Sequence, residues 1–171
     1  SQERRRCFIL GHRTHGVVQS PTRSTPCSLR ELFQDLGSPD GQNRHELLGR
    51  AREYEGHKAS DLDGIARTLR AGTHGPGGGS NTVRLDDGTV RYLTVREMAR
   101  VQGFPDTYLF DPVWSHAVKE LGNACPPPLA KDWLAKLREH VSQETSEGSQ
   151  APVEESSSPS DIESESDEEQ G

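Results

Sequence analysis

From Thr82 to Pro105 the sequence specifies a hairpin that runs directly into a capped helix, and any fold for this chain must be built round that unit. Two β-favouring runs, Thr82-Val83-Arg84-Leu85 and Thr89-Val90-Arg91-Tyr92-Leu93, are joined through the turn signature Asp87-Gly88. Thr94 and Glu97 have capping-box spacing: the hydroxyl serves the amide of the third helical residue, and the carboxylate returns to the cap amide. Leu93 and Met98 are placed to staple the helix start, and Gly103 and Pro105 stop it. A last helix is predicted to open at Pro126-Pro127-Pro128, because proline suits a first turn whose amides lack partners anyway. Leu129, Trp133, Leu134 and Leu137 would form its apolar face. Another helix is expected over Ser28–Leu36, where Leu29, Leu32, Phe33 and Leu36 recur at helical spacing before Gly37. Otherwise residues 12–80 read as irregular, with Pro21, Pro26, Pro39 and a glycine-rich stretch over Gly72–Ser80. Near the start, Cys7-Phe8-Ile9-Leu10 reads as a short buried strand, the last of a sheet whose other strands lie outside this sequence.

Charge is segregated along the chain. The net charge is -7, but residues 141–171 hold ten acids, nine serines and no Lys or Arg, so all 20 basic residues lie in residues 1–140 beside only 17 acids. A mildly basic body is therefore tied to an acidic tail. The tail has too little apolar surface to offset backbone ordering, about 1–2 kcal/mol per residue, and is expected to be disordered. Ser158, Ser160, Ser164 and Ser166 each precede an acid by three residues, which suits acid-directed phosphorylation or a protein partner; a merely solubilising tail explains the composition equally well. Mean hydropathy is -0.83, and no apolar run approaches the roughly 20 residues of a membrane span. Three cysteines, Cys7, Cys27 and Cys125, with no paired spacing, argue against a disulfide framework or a cysteine zinc site, and the seven histidines show no metal-ligand spacing. The start carries neither an initiator methionine nor signal-peptide character, so the chain is expected to begin inside a longer one.

Three runs share one resemblance. Arg91-Tyr92-Leu93-Thr94-Val95-Arg96-Glu97-Met98-Ala99-Arg100-Val101-Gln102-Gly103-Phe104-Pro105-Asp106, by residue type alone, is a capped helix whose arginines could meet phosphate. As a string it resembles the ninth motif of the DNA cytosine-5 methyltransferase family, which implies an architectural role for Arg91, Thr94, Arg96, Glu97, Arg100, Gln102, Gly103 and Pro105 in bracing the DNA-recognition domain. Leu121-Gly122-Asn123-Ala124-Cys125-Pro126-Pro127-Pro128-Leu129-Ala130 is similar to the tenth motif, with Cys125 in place of the usual Val. The resemblance implies that Asn123 and Ala124 line the S-adenosylmethionine pocket.

At the start, Gln2-Glu3-Arg4-Arg5-Arg6-Cys7-Phe8 is by itself a basic flank on an edge strand. Beside the other two runs it resembles the eighth motif. A strand period of two puts Gln2, Arg4 and Arg6 on one face, and the resemblance implies contact with a flipped-out base, Arg6 at the cytosine carbonyl with Gln2 and Arg4 in support. In this family the interval between the eighth and ninth motifs holds the target-recognition domain. Within it Thr68-Leu69 resembles a short recognition signature whose hydroxyl meets a phosphate; Arg67 and Arg70 are of the right type to join it.

The family's Pro-Cys-Gln nucleophile loop, Glu-Asn-Val segment and glycine-rich cofactor turn are absent from this sequence. Pro26-Cys27-Ser28 has the wrong third residue and follows the eighth motif instead of preceding it, so no nucleophile is assigned. The resemblance implies an α/β chain: the carboxyl-terminal part of a Rossmann-like S-adenosylmethionine-dependent methyltransferase domain, a small irregular mixed recognition domain and a disordered acidic tail. The expected division is a last strand region of the catalytic lobe over 1–11, recognition over 12–88, a closing strand and helices over 89–140 and the tail over 141–171. The implied activity is methyl transfer to carbon 5 of cytosine in double-stranded DNA, in the nucleus, with this chain inactive alone. The alternative is a non-catalytic DNA-binding or protein-interaction module derived from such an enzyme.

Overall fold

The computed structural model describes residues 17–22, 25–53, 55–71 and 81–147. The expected strand at Cys7–Leu10, the glycine-rich stretch over Gly72–Ser80 and the serines Ser158, Ser160, Ser164 and Ser166 lie outside these residues.

The hairpin and its helix form as the sequence expects. Strands β2 (Thr82–Arg84) and β3 (Val90–Tyr92) pair antiparallel with Val83 opposite Arg91, closed at Asp87-Gly88 by Leu85 N–H to the Thr89 carbonyl, 2.9 Å. Gly88 sits at φ +80°, which costs glycine nothing. A short strand β1 (Ser60–Asp61), which the sequence does not announce, adds parallel to β2, with Ser60 opposite Val83. On the opposite edge, Ala51 donates to the Val90 carbonyl.

Helix α2 (Val95–Gln102) follows the sheet and is the centre of the molecule. Thr94 and Glu97 make both capping-box bonds, Glu97 N–H to Thr94 Oγ1 at 3.1 Å and Thr94 N–H to Glu97 Oε2 at 2.8 Å. Gly103 at φ +81° ends the helix, with Phe104 N–H returning to the Ala99 carbonyl. Every residue of α2 except Arg100 is buried, because α1 (Leu29–Phe33) and α3 (Trp114–Asn123) flank it. The core gathers Leu29, Leu69, Val83, Leu93, Val95, Met98, Phe110 and Leu121.

Three boundaries differ from expectation. Helix α1 is shorter than Ser28–Leu36: Ser28 and Glu31 form a capping box, but the chain leaves the helix after Phe33 and turns at Gly37, φ +72°. Helix α3 has no sequence start signal, and its cap, Val113, makes no side-chain bond to the helix. Helix α4 (Pro127–Glu147) opens at the prolines but continues past residue 140 into the stretch where composition predicts disorder, since extending an existing helix needs no new nucleus. Along α4, Leu129, Trp133 and Leu137 at four-residue spacing are half-buried, whereas Leu134, one residue round the helix from Trp133, is exposed. No helix among the described residues is long and apolar enough to cross a membrane.

Candidate DNA-facing groove and cofactor-facing turn

The arginines of the 91–106 run are spent inside the protein. Arg91 forms a forked pair with Glu97, 2.6 and 2.7 Å, largely shielded from water. Arg96 is fully buried and makes no ion pair among the described residues: it donates to the Asn43 carbonyl (3.0 Å), Asn43 Oδ1 (2.6 Å), the Pro105 carbonyl (3.2 Å) and the Tyr108 carbonyl (2.9 Å), over the Phe110 ring. Burial pushes its pKa down. Asn43 adopts φ +46°, a left-handed conformation that asparagine tolerates, and so presents both oxygens to Arg96. Arg100 bridges Asp106, Asp35 and the Leu32 carbonyl, holding both carboxyls below the usual carboxylate range. These three arginines, which residue type alone allows as phosphate ligands, instead tie α2 to β3, to the loops at 41–45 and 105–110 and to α1.

Buried His45 completes the brace. Its Nδ1 lies 2.8 Å from the Thr94 hydroxyl and its Nε2 3.4 Å from the Gly37 carbonyl, while Thr94 still caps the Glu97 amide. Gln102 donates to the Leu121 carbonyl. A Cβ on Gly103 would lie 2.7 Å from Pro128 Cγ, so the end of α2 packs directly on the start of α4.

The segment between β1 and β2 makes a different use of its cations. Gly56–Asp61, Gly64–Thr68 and Arg70 line an open groove of about 510 Å³ that includes His57, Lys58, Arg67, Thr68 and Arg70. Leu69 is buried in the core and anchors the segment; Arg67 and Arg70 on either side are exposed, and Thr68 is half-buried. Among the described residues, Lys58, Arg67 and Arg70 make no ion pair, whereas Arg30 is held by Asp63 and Asp86, and Arg84 by Glu53 and Asp61. The acid in the groove, Asp61, is already taken by Arg84. Among the described residues, the groove therefore carries positive charge that is not held in an ion pair.

Asn123 and Ala124 lie at the end of α3, Asn123 as its last residue and Ala124 as its C-cap, where residue type alone suggests a loop. Asn123 is exposed and its carboxamide has no partner among the described residues. The preceding Gly122 is buried against Arg70 and Ala71, which brings this turn onto the groove segment. Gln2, Arg4 and Arg6 lie outside the described residues. Sequence reasoning missed Lys58 and His57, which carry no periodic signal, and Asn81 and Gly122, whose importance lies in contacts distant in sequence. No group of three or more His, Cys, Asp or Glu among the described residues is placed to hold a metal ion.

Known proteins match this chain over parts of their length. DNA (cytosine-5)-methyltransferase 2 of Arabidopsis thaliana is 53% identical over 49 residues, 29% of this chain and 3% of that protein. Type II methyltransferase M.XorII of Xanthomonas oryzae is 42% identical over 71 residues, 41% of this chain and 17% of that one. Type II methyltransferase M.HhaI of Haemophilus parahaemolyticus is 28% identical over 149 residues, 72% of this chain and 44% of that one. This chain thus spans less than half the length of each of these relatives. A crystal structure of S. pombe Dnmt2 methyltransferase aligns with a TM-score of 0.39 at 18% identity, covering 70% of this chain and 48% of that one. The model of the C-5 cytosine-specific DNA methylase family matches residues 40–139, more than half of the chain and the whole of α2, and the protein belongs to that family.

Proposed function

We propose that this chain is the carboxyl-terminal, DNA-gripping part of a cytosine-5 DNA methyltransferase, closing a Rossmann-like catalytic lobe whose other strands lie outside this sequence. The observation that carries this reading is the groove at Lys58, Arg67, Thr68 and Arg70, whose cations make no ion pair among the described residues while the neighbouring Arg30 and Arg84 are held by acids. Point charges on an extended, core-anchored segment suit the phosphates of double-stranded DNA, which fix register without reading sequence. Gln2, Arg4 and Arg6 would meet the flipped cytosine.

Asn123 and Ala124 fit S-adenosylmethionine as one wall of its pocket, because the exposed carboxamide of Asn123 offers a free donor and acceptor. The bound cofactor would supply an activated methyl group. This chain's own part is to hold one edge of the cofactor and to position the DNA backbone; with no Pro-Cys-Gln loop it offers no thiolate to attack cytosine, and it is inactive alone. A nuclear location is part of the proposal, inferred from DNA as substrate and from the serine-rich acidic tail. The acidic tail, phosphorylated or not, would compete with DNA for the basic groove.

Titrating a labelled duplex with the full chain tests the reading. Salt-sensitive binding, with no methyl transferred from labelled S-adenosylmethionine, is expected; no binding at low salt contradicts the grip, and methyl transfer by this chain contradicts the division of labour.

A further inference from the structure

Gly122 occupies the last turn of α3, where glycine costs about 1 kcal/mol relative to alanine. Its φ is not left-handed, so no backbone requirement selects it. Space does: a Cβ there would lie 2.3 Å from the Ala71 amide nitrogen, 2.5 Å from Ala71 Cα and 2.6 Å from the Arg70 carbonyl carbon. All three are backbone atoms and cannot swing aside. The side chain of Asn81 holds the same Arg70 backbone through the two peptides that flank it, accepting from Arg70 N–H at 3.1 Å and donating to the Arg70 carbonyl at 3.0 Å. Asn81 is itself tied to the sheet, since its carbonyl accepts from Leu93 N–H at 2.9 Å.

We infer that Gly122 and Asn81 are positioning residues that clamp the Arg70 backbone between them and so set the register of Arg67, Thr68 and Arg70 on a DNA backbone. Neither residue needs to touch DNA. Gly122 directly precedes Asn123, so the clamp also fixes the distance between the cofactor-facing turn and the phosphate-facing segment. The inference rests on the groove being a phosphate site.

The test is the salt dependence of duplex affinity for the full chain and for Gly122→Ala and Asn81→Ala, each checked for folding by circular dichroism and thermal melting. A clamp predicts that the folded variants bind about tenfold more weakly, with a log–log salt slope shallower by about 1.8, the loss of two phosphate contacts. A merely structural role lowers the melting temperature and leaves the slope unchanged. If Gly122→Ala does not fold, Asn81→Ala decides alone, because it removes the polar half of the clamp without inserting an atom. Wild-type binding with the slope retained in a folded variant overturns the clamp and leaves the groove standing. Absence of salt-dependent binding by the wild type overturns the groove, and the clamp with it.

Discussion

Gln102 donates its side-chain amide to the Leu121 carbonyl at 2.5 Å, a buried bond joining the end of α2 to the last turn of α3. That carbonyl is among those a helix leaves without an internal partner. One side chain therefore places Leu121, and with it Gly122 and Asn123, relative to the braced helix. Gln102→Leu, close in volume, leaves the buried carbonyl unsatisfied and is expected to cost about 1–3 kcal/mol, read from the urea midpoint with an unchanged m-value. Stability equal to wild type would show that the bond does not hold the turn.

Arg96 joins the Asn43 and 105–108 loops through hydrogen bonds to oxygens that carry no charge. Arg96→Met keeps much of the volume but strands these acceptors, so a loss of at least about 2 kcal/mol is expected. Arg96→Lys should not rescue it, because an ammonium cannot reproduce the planar fork. Denaturant unfolding of both variants checks this; full stability of the lysine variant would contradict it.

Acid should unfold the domain early. Asp106 and Asp35 are held below the ordinary carboxylate range by Arg100, Asp63 and Asp86 by Arg30, and Glu53 by Arg84. A carboxyl whose folded pKa is depressed contributes stability above its unfolded value, near pH 4, and loses it as pH falls through the folded value. Stability should be flat from pH 7 to about 5 and fall below about pH 4. Asp106→Asn should lower the neutral-pH plateau and soften the acid limb. An acid limb identical to wild type would show that the Arg100 pair contributes nothing.

The hairpin and α2 were legible because their rules are local. Thr94 and Glu97 stand three residues apart, Gly103 needs only its own left-handed φ, and Asp87-Gly88 carries its turn chemistry in two letters. The groove was not legible as a shape. Ser60–Asp61 is too short for a period, and its parallel pairing to β2 is set by residues more than 20 positions away. Thr68-Leu69 draws attention to this segment through resemblance, but that Arg67 and Arg70 make no ion pair among the described residues, whereas Arg91 and Arg100 do, follows only from which acids the fold brings near each. Helix α3 was missed for want of a capping residue at Val113.

Gly103→Ala should cost more than a left-handed alanine alone, roughly 1 kcal/mol, because the new Cβ also meets the Pro128 ring. Thermal unfolding of the variant beside Gly88→Ala, whose Cβ meets nothing within 4 Å at a similar φ, isolates the difference. Equal costs would mean that the ring moves freely and that α4 is not fixed by this contact.

The DNA grip is tested most directly by duplex affinity against salt for the full chain and for the double variant Arg67→Gln, Arg70→Gln. The groove predicts that the wild type weakens steeply with salt and that the variant's log–log slope is shallower by about 1.8, with the fold intact. A wild-type slope retained by the variant would contradict it.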